Sequence, residues 1–370
     1  MKRVLVTGAS NIGKAGVATM VYNWGQNFEE GDIVYDYLSQ RGFPEKQYID
    51  AIKKQNGRIY VPNKLSKNMV VKNMQIIKWI FHVLKSGKYE HIHINSDTSY
   101  LATIYFLIAK FAKVNNIIVH SHSTMVDEKS KLKRIVKVAL HYFFRPWVKK
   151  ANGKLACSTA AGVWMFGKGE RVAVIPNGVC LDKYKFSKEN RIKHRELMGI
   201  EEELVIGCVG RLAYQKNCLM TIEIFEEMIK VRPNTILWFI GEGPLREELQ
   251  TYISQKHLSD KCFLFGNRDD VDELMSAMDL FLLPSRFEGL GIVYIEAQAS
   301  GMPVFASDCV PDEAFATDLI HKISISSSPK VWADECLKYC NQERKDVCRE
   351  LEIKGYCIKS SAKILKKIYL

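Results

Sequence analysis

Residues 279–301 read DLFLLPSRFEGLGIVYIEAQASG. Leu280–Leu283 is a continuous apolar run of strand length, and a helical pattern is predicted over 291–300. Between them the chain turns through Gly289 and Gly291, which lack a Cβ and so permit a tight turn with uncovered amides. Strand, glycine turn and helix together form the repeating unit of a parallel α/β sheet. The amides of Leu290, Gly291 and Ile292 are expected to point at one spot, where the positive end of the helix favours a phosphate. Glu296 lies eight residues after Glu288, on the second turn of that helix. From there a carboxylate can accept hydrogen bonds from a ribose diol, while Glu288, before the turn, lies nearer the sugar side.

Working outward, GCVGRLAYQKN (207–217) gives a strand, a glycine break, and Arg211 and Lys216 flanking a loop. Two cations at a strand end suit a diphosphate, because they neutralise charge that grows as it leaves. The same alternation runs through the chain in two blocks. Strands are predicted at Val4–Thr7, Ile33–Tyr37, Arg58–Val61, His91–Ile94 and Ile117–Val119. A second series is predicted at Val172–Ile175, Leu204–Val209, Ile236–Ile240, Cys262–Phe265, Leu280–Leu283 and Val304–Ala306. Helical patterns fall at 17–28, 70–86, 99–112 and 130–150, then at 217–231, 244–255, 271–277, 291–300 and 330–340. The fold class is therefore α/β, with two Rossmann-like, doubly wound parallel-sheet domains facing a cleft. The first is expected over 1–170 and the second over 171–354, with a last helix near 355–370 crossing back to the first.

Composition narrows the function. The chain has 370 residues, 47% hydrophobic and 25% charged, as expected of a water-soluble protein of two domains. No signal peptide is read at its start, and the apolar run 100–109 is about half the length of a bilayer span. Ten cysteines include no CxxC pair, and scattered reduced thiols are expected. Asp270 and Asp272 spell DxD, but at a predicted helix start where Asp caps amides, so no essential metal or other cofactor is expected. Residues 1–170 carry a net charge of +15 and residues 171–370 a net charge of −3. Residues 129–150 hold eight Lys and Arg and no acid, with Leu132, Ile135, Val136, Ala139, Leu140, Phe143 and Trp147 at helical spacing. Two readings of that helix stand: an apolar face turned to the core, or an interfacial element on anionic lipid with Phe144 and Trp147 near the headgroups. No nucleic-acid-binding motif accompanies the charge.

The second half resembles the retaining glycosyltransferases of family 4, which have the two-Rossmann-domain GT-B architecture. The resemblance runs through IPNGV (175–179), GRLAYQKN (210–217), LWFIGEGPLREELQ (237–250), FLFGNRDDVDELMSAMDLFLLPS (263–285) and SRFEGLGIVYIEAQASGMPVFASD (285–308). Upstream, VHSHS (119–123) and ACSTAAGVWMFG (156–167) resemble the branch that builds bacterial capsule and exopolysaccharide repeat units. It implies a retaining transfer from a nucleotide-sugar, most often a UDP-sugar, to a lipid-linked saccharide at the inner membrane face. By position it implies that Glu296 holds the nucleotide ribose, that Arg211 and Lys216 hold the diphosphate, and that Glu288 contacts the donor sugar. The amides of Leu290, Gly291 and Ile292 also reach the donor, and His122 or His120 faces its sugar. The sequence departs from the family at Cys180, where an Asp is common, and at Gly16, which no Glu follows.

The opening VLVTGASNIGKAGVATM (4–20) invites comparison with short-chain dehydrogenases, but its later glycines fall at 13 and 16 and miss that spacing. It is read instead as the first strand and glycine loop of the acceptor-side domain, with Gly16 in the turn over the donor diphosphate and Lys14 adding charge. A nucleotide-sugar epimerase, or a non-catalytic nucleotide-sugar-binding subunit of an assembly complex, are the alternatives. Such a protein is expected in the cytoplasm, peripheral on the membrane, with donor, acceptor and anionic lipid as partners and no nucleic acid.

Overall fold

Val4, Leu5 and Val6 are fully buried in the computed structural model, which describes residues 2–10, 12–13, 16–29, 31–40 and 42–370. Lys14 and its expected charge lie outside the described residues. The chain divides into two units, each with its own core. In the first, strands and helices alternate as β1 (Lys2–Val6), α1 (Gly16–Gln26), β2 (Ile33–Leu38), α2 (Lys46–Lys54), β3 (Ile59–Tyr60), α3 (Met69–Ser86), β4 (His91–Ser96) and α4 (Ser99–Phe111). They continue as β5 (Asn116–Ser121), α5 (Lys131–Val148), β6 (Gly153–Ala156), α6 (Thr159–Phe166) and β7 (Ala173–Val174). Among the described residues these strands form one parallel sheet in the order β3-β2-β1-β4-β5-β6-β7.

The second unit contains α7 (Leu181–Tyr184), α8 (Lys188–Leu197), β8 (Leu204–Val209), α9 (Cys218–Val231), β9 (Thr235–Ile240), α10 (Arg246–Gln255), β10 (Cys262–Gly266) and α11 (Val271–Ala277). Then come β11 (Leu280–Leu283), α12 (Ile292–Ala299), β12 (Val304–Ser307), β13 (Ile320–Ile323), α13 (Pro329–Leu337) and α14 (Cys348–Ile353). Its sheet is also parallel, ordered β10-β9-β8-β11-β12-β13. Both orders reverse beside the first strand of the unit, and that reversal opens the crevice where such sheets bind ligands. The buried runs in both sheets follow from this design, since helices cover both faces of a parallel strand.

Two expectations change. The run near 172–175 does not open the second domain: β7 pairs with β6 at the edge of the first sheet, and the division falls between Gly178 and Val179. The last helix, α15 (Ile358–Tyr369), lies in the first unit, the side to which residues near 355–370 are expected to cross, and Asp127–Lys129 lies in the second. The apolar side of α5 does not face the core. Leu132, Ile135, Val136, Leu140 and Phe143 are exposed, whereas only His141 and Val148 are buried. Phe144 and Trp147 are half-buried, and Trp147 packs against the core of the first unit instead of pointing outward. No helix among the described residues is long and apolar enough to cross a membrane. The ten cysteines are free thiols.

Candidate functional site

At the carboxyl end of β8 the chain passes Gly210, whose φ of 147° suits glycine. A Cβ there would sit 3.1 Å from the Lys216 side chain, so the bare backbone leaves room for that cation. Across the strand end, a Cβ on Gly241 would lie 2.1 Å from the Gly210 carbonyl oxygen. Lys216 closes a short 3-10 turn, Tyr214–Lys216, and donates to Glu288 Oε1 at 2.7 Å. Glu288, 4% exposed, also accepts from Gln215 Nε2 at 2.9 Å and from Ser285 Oγ at 2.7 Å. A buried carboxylate needs such donors to remain charged. Further ties fix the two loops to each other: the Arg286 amide donates to the Gln215 carbonyl at 2.7 Å, and its guanidinium donates to Asn217 Oδ1 at 2.6 Å and lies over the Tyr214 ring. The result is an ammonium group held at the end of β8, next to the helix start that follows β11.

That helix start is the one expected. Gly291 precedes α12 with φ 78°, and a Cβ there would collide with the Tyr294 ring at 2.5 Å. Tyr294 is fully buried and donates to the Leu283 carbonyl at 2.8 Å, pinning α12 to β11. Leu290 is buried and Ile292 is the first residue of the helix, so the amides that begin α12 lack the carbonyls of a preceding turn. Glu296, on the second turn, is half-buried, and its carboxyl is pushed up to about 7 by desolvation. A hydrogen bond from Tyr184 and the charges of Lys183 and Lys216 partly offset that rise. Arg211 is the exception to burial: its side chain is 66% exposed and pairs with Asp127 at 3.3 Å. Asp127 also accepts from the Gln215 amide at 3.2 Å, which draws it into the same loop. Asp270 does precede α11, but its carboxylate takes Arg268 at 2.5 Å and makes no cap, because the guanidinium competes successfully for it.

The first unit gathers a second group of polar side chains. Gly8 turns after β1 with φ 79°, and a Cβ there would lie 2.9 Å from Asn95 Cβ. Asn95 donates through Nδ2 to the Thr7 carbonyl at 3.0 Å, which leaves Oδ1 to face His122 Nε2 at 2.8 Å. Because Oδ1 can only accept, His122 carries its proton on Nε2 and offers a lone pair on Nδ1. That Nδ1 is buried without a partner among the described residues. Desolvation holds His122 down at about 3, so the ring is neutral at pH 7.

His120 is placed differently from His122. It lies inside β5, 0% exposed, with Nδ1 3.1 Å from His93 Nε2, and Trp24 stacks on its ring at 5.4 Å. The sheet interior encloses its ring, and its Nε2, like His122 Nδ1, is buried without a partner among the described residues. Gly16 opens α1, and the Gly13 amide before it donates to Thr19 Oγ1 at 2.9 Å. Sequence reasoning missed Asn95, Gln215, Ser285, Asp127 and Tyr184. Gln215 and Ser285 sit beside residues that were found, but Asn95 is joined to His122, and Tyr184 to Glu296, only by folding.

Residues 190–348 match the family of glycosyl transferases group 1. Over its whole length the chain is 28% identical, across 381 residues, to EpsF of Bacillus subtilis, which carries the name of a glycosyltransferase with no stated donor or acceptor; the match covers 100% of this chain and 96% of EpsF. It is 26% identical over 330 residues to the Escherichia coli UDP-Gal:alpha-D-GlcNAc-diphosphoundecaprenol alpha-1,3-galactosyltransferase, covering 84% of this chain and 83% of that enzyme. Among solved structures, Anabaena Alr3699/HepE in complex with UDP-glucose superposes with a TM-score of 0.72 at 16% identity, covering 100% of this chain and 95% of that one. The two parallel-sheet units thus have the folds of GT-B glycosyltransferases.

Proposed function

We propose that the chain is a group 1 glycosyltransferase and that it moves a sugar from a UDP-sugar to a lipid-linked saccharide, with retention at the anomeric carbon, in capsule or exopolysaccharide synthesis. The observation that carries the reading is the Lys216–Glu288 pair at the end of β8, beside the Gly291 start of α12. In this reading Lys216, Arg211 and the amides of Leu290, Gly291 and Ile292 hold the diphosphate. Glu296 accepts from the ribose hydroxyls, and Glu288 orients Lys216 and faces the sugar.

As the bond from the anomeric carbon to the diphosphate oxygen breaks, negative charge grows on that oxygen. Lys216 and the helix-start amides stabilise it with groups already in place. The incoming hydroxyl attacks from the same face, and its proton passes to the departing phosphate oxygen. His122 accepts a hydrogen bond from a sugar hydroxyl through Nδ1, and Gly16 belongs to the turn that approaches the diphosphate. Two relatives support the ligand classes: one is named for a UDP-galactose donor and a diphosphoundecaprenol acceptor, and one was crystallised with UDP-glucose. The protein works at the cytoplasmic face of the membrane in this reading.

The charge that a metal supplies elsewhere is assigned to Arg211 and Lys216, so no divalent ion is required. The test is a UDP-sugar panel with UDP release as readout, run with and without EDTA and with Lys216→Ala and Glu296→Ala. Turnover that falls at least a hundredfold in Lys216→Ala and is unchanged by EDTA is expected. Undiminished turnover in both variants overturns the site, and a loss in EDTA that Mg²⁺ restores overturns the metal-free reading.

A further inference from the structure

Helices α3, α4 and α5 are consecutive crossovers of the first sheet, and α4 packs against both of the others. On α4 one side is conventional: Ala102, Phe106 and Ala109 are buried against the sheet. Its other side carries Leu101, Ile104 and Leu107, all exposed and spaced three residues apart along one stripe. A helix covering a sheet next to water normally places polar residues there. The neighbours continue the pattern. On α5, Ile135, Val136 and Phe143 are 57%, 53% and 65% exposed, while α3 exposes Met69, Val70 and Met74 on its first two turns. His141 fastens α5 from beneath, accepting from the Ser99 amide and stacking on Trp164 at 3.8 Å, so this outward face belongs to a firmly seated helix.

Exposed apolar residues scattered singly are ordinary, but a run of them over three adjacent helices marks a surface that is covered in use. Charge selects what covers it. None of the three helices contains an Asp or Glu, and exposed Lys72, Lys78, Lys131 and Lys133 lie among the apolar residues. A second copy would set lysines against lysines, and a nucleic acid would leave the apolar stripe unmatched. An anionic bilayer satisfies both halves, with acyl chains for the side chains and phosphates for the lysines. We propose that α3, α4 and α5 form a docking face that lies on an anionic membrane surface, the first unit inserting the Leu101–Ile104–Leu107 stripe and its α5 neighbours between headgroups. The proposal names the membrane contact of the function above and rests on that reading only for the acceptor being lipid-linked.

The test is flotation of the full chain with vesicles of phosphatidylcholine, or of phosphatidylcholine with phosphatidylglycerol, at low and physiological salt. UDP-sugar hydrolysis in solution is measured in parallel. Recovery with anionic vesicles only is expected. Lys78→Ser, Lys131→Ser and Lys133→Ser together should weaken binding about a hundredfold, from roughly fivefold per surface lysine. Ile104→Glu with Ile135→Glu should abolish flotation even at low salt. Both variants should keep the far-ultraviolet spectrum and UDP-sugar hydrolysis of the parent, since none of these residues lies at the donor site. Equal recovery on neutral vesicles, no recovery on either, or a dimer by light scattering that Ile135→Glu dissociates would each overturn the docking face. Flotation by a protein that hydrolyses no UDP-sugar would leave the face standing and remove the transferase reading instead.

Discussion

At pH 7 the Glu296 carboxyl stands at its own midpoint, because burial has pushed it up to about 7 from an ordinary value near 4.5. Only the carboxylate can accept from both hydroxyls of a diol, so in the proposed site donor binding and proton binding compete at this group. UDP-sugar affinity by calorimetry should therefore fall about tenfold from pH 8 to pH 6, and Glu296→Gln should flatten that dependence while binding more weakly at pH 8. A raised folded value also means that the folded chain holds the proton more tightly than the unfolded chain. Its stability contribution is present below pH 4.5 and is lost as pH rises through 7. Glu296→Gln should accordingly raise stability at pH 8 by about 2 kcal/mol, and unchanged stability there would show that the carboxyl is better solvated than its surroundings imply. Asn95 offers a different test. It fixes the His122 tautomer, so Asn95→Leu frees the ring to turn and hide its lone pair. We expect kcat to drop about tenfold with the KM for donor little changed; equal loss in both would assign Asn95 to folding alone. Glu288 and Lys216 were legible because neighbouring glycines advertise them, whereas nothing local announces Asn95, whose partners Thr7 and His122 are 88 and 27 residues away.

Glycines carry the elements that frame the proposed donor site, and their tolerance differs with what a methyl group would meet. Gly241, at the end of β9, has φ 134° and no room beside the Gly210 carbonyl. Gly241→Ala must push the end of β9 away from β8, and Gly210 then shifts beneath Lys216. The variant should lose about 2–4 kcal/mol of stability from strain and overpacking, together with most of its affinity for UDP. Full UDP affinity in a destabilised Gly241→Ala protein would separate the two strand ends from the site. Legibility at this scale followed burial. Leu204–Val209 and Leu280–Leu283 are enclosed on both faces, read as unbroken apolar runs, and were predicted to the residue. The strands missed, Gly153–Ala156 and Ile320–Ile323, are short, and Lys154 and Lys322 interrupt their apolar pattern. The same reasoning explains α5, whose spacing is that of a core helix although its apolar side is exposed.

The molecule as a whole is two units whose cores share no strand, and after Gly178 the chain returns to the first unit only through residues 358–370. There Tyr369, 1% exposed, joins its hydroxyl to Tyr35 and His93, while Trp24 Nε1 donates to Ser361 at 2.9 Å. Stability should therefore be divisible. Scanning calorimetry is expected to show two transitions, one for each core. UDP at a hundred times its dissociation constant adds about 2.7 kcal/mol to the unit that binds it, which raises that transition by roughly 5–10 °C. If the donor site is built on β8, β11 and α12, only the transition of the second unit should move. Tyr369→Ala should do the reverse, lowering the first unit's transition by about 10 °C through the cavity and the unpaired Tyr35 and His93 it leaves, with the UDP-sensitive transition unchanged. A single transition that shifts with both perturbations would mean that the cores unfold as one, and that UDP binding draws on the first unit as much as on the second.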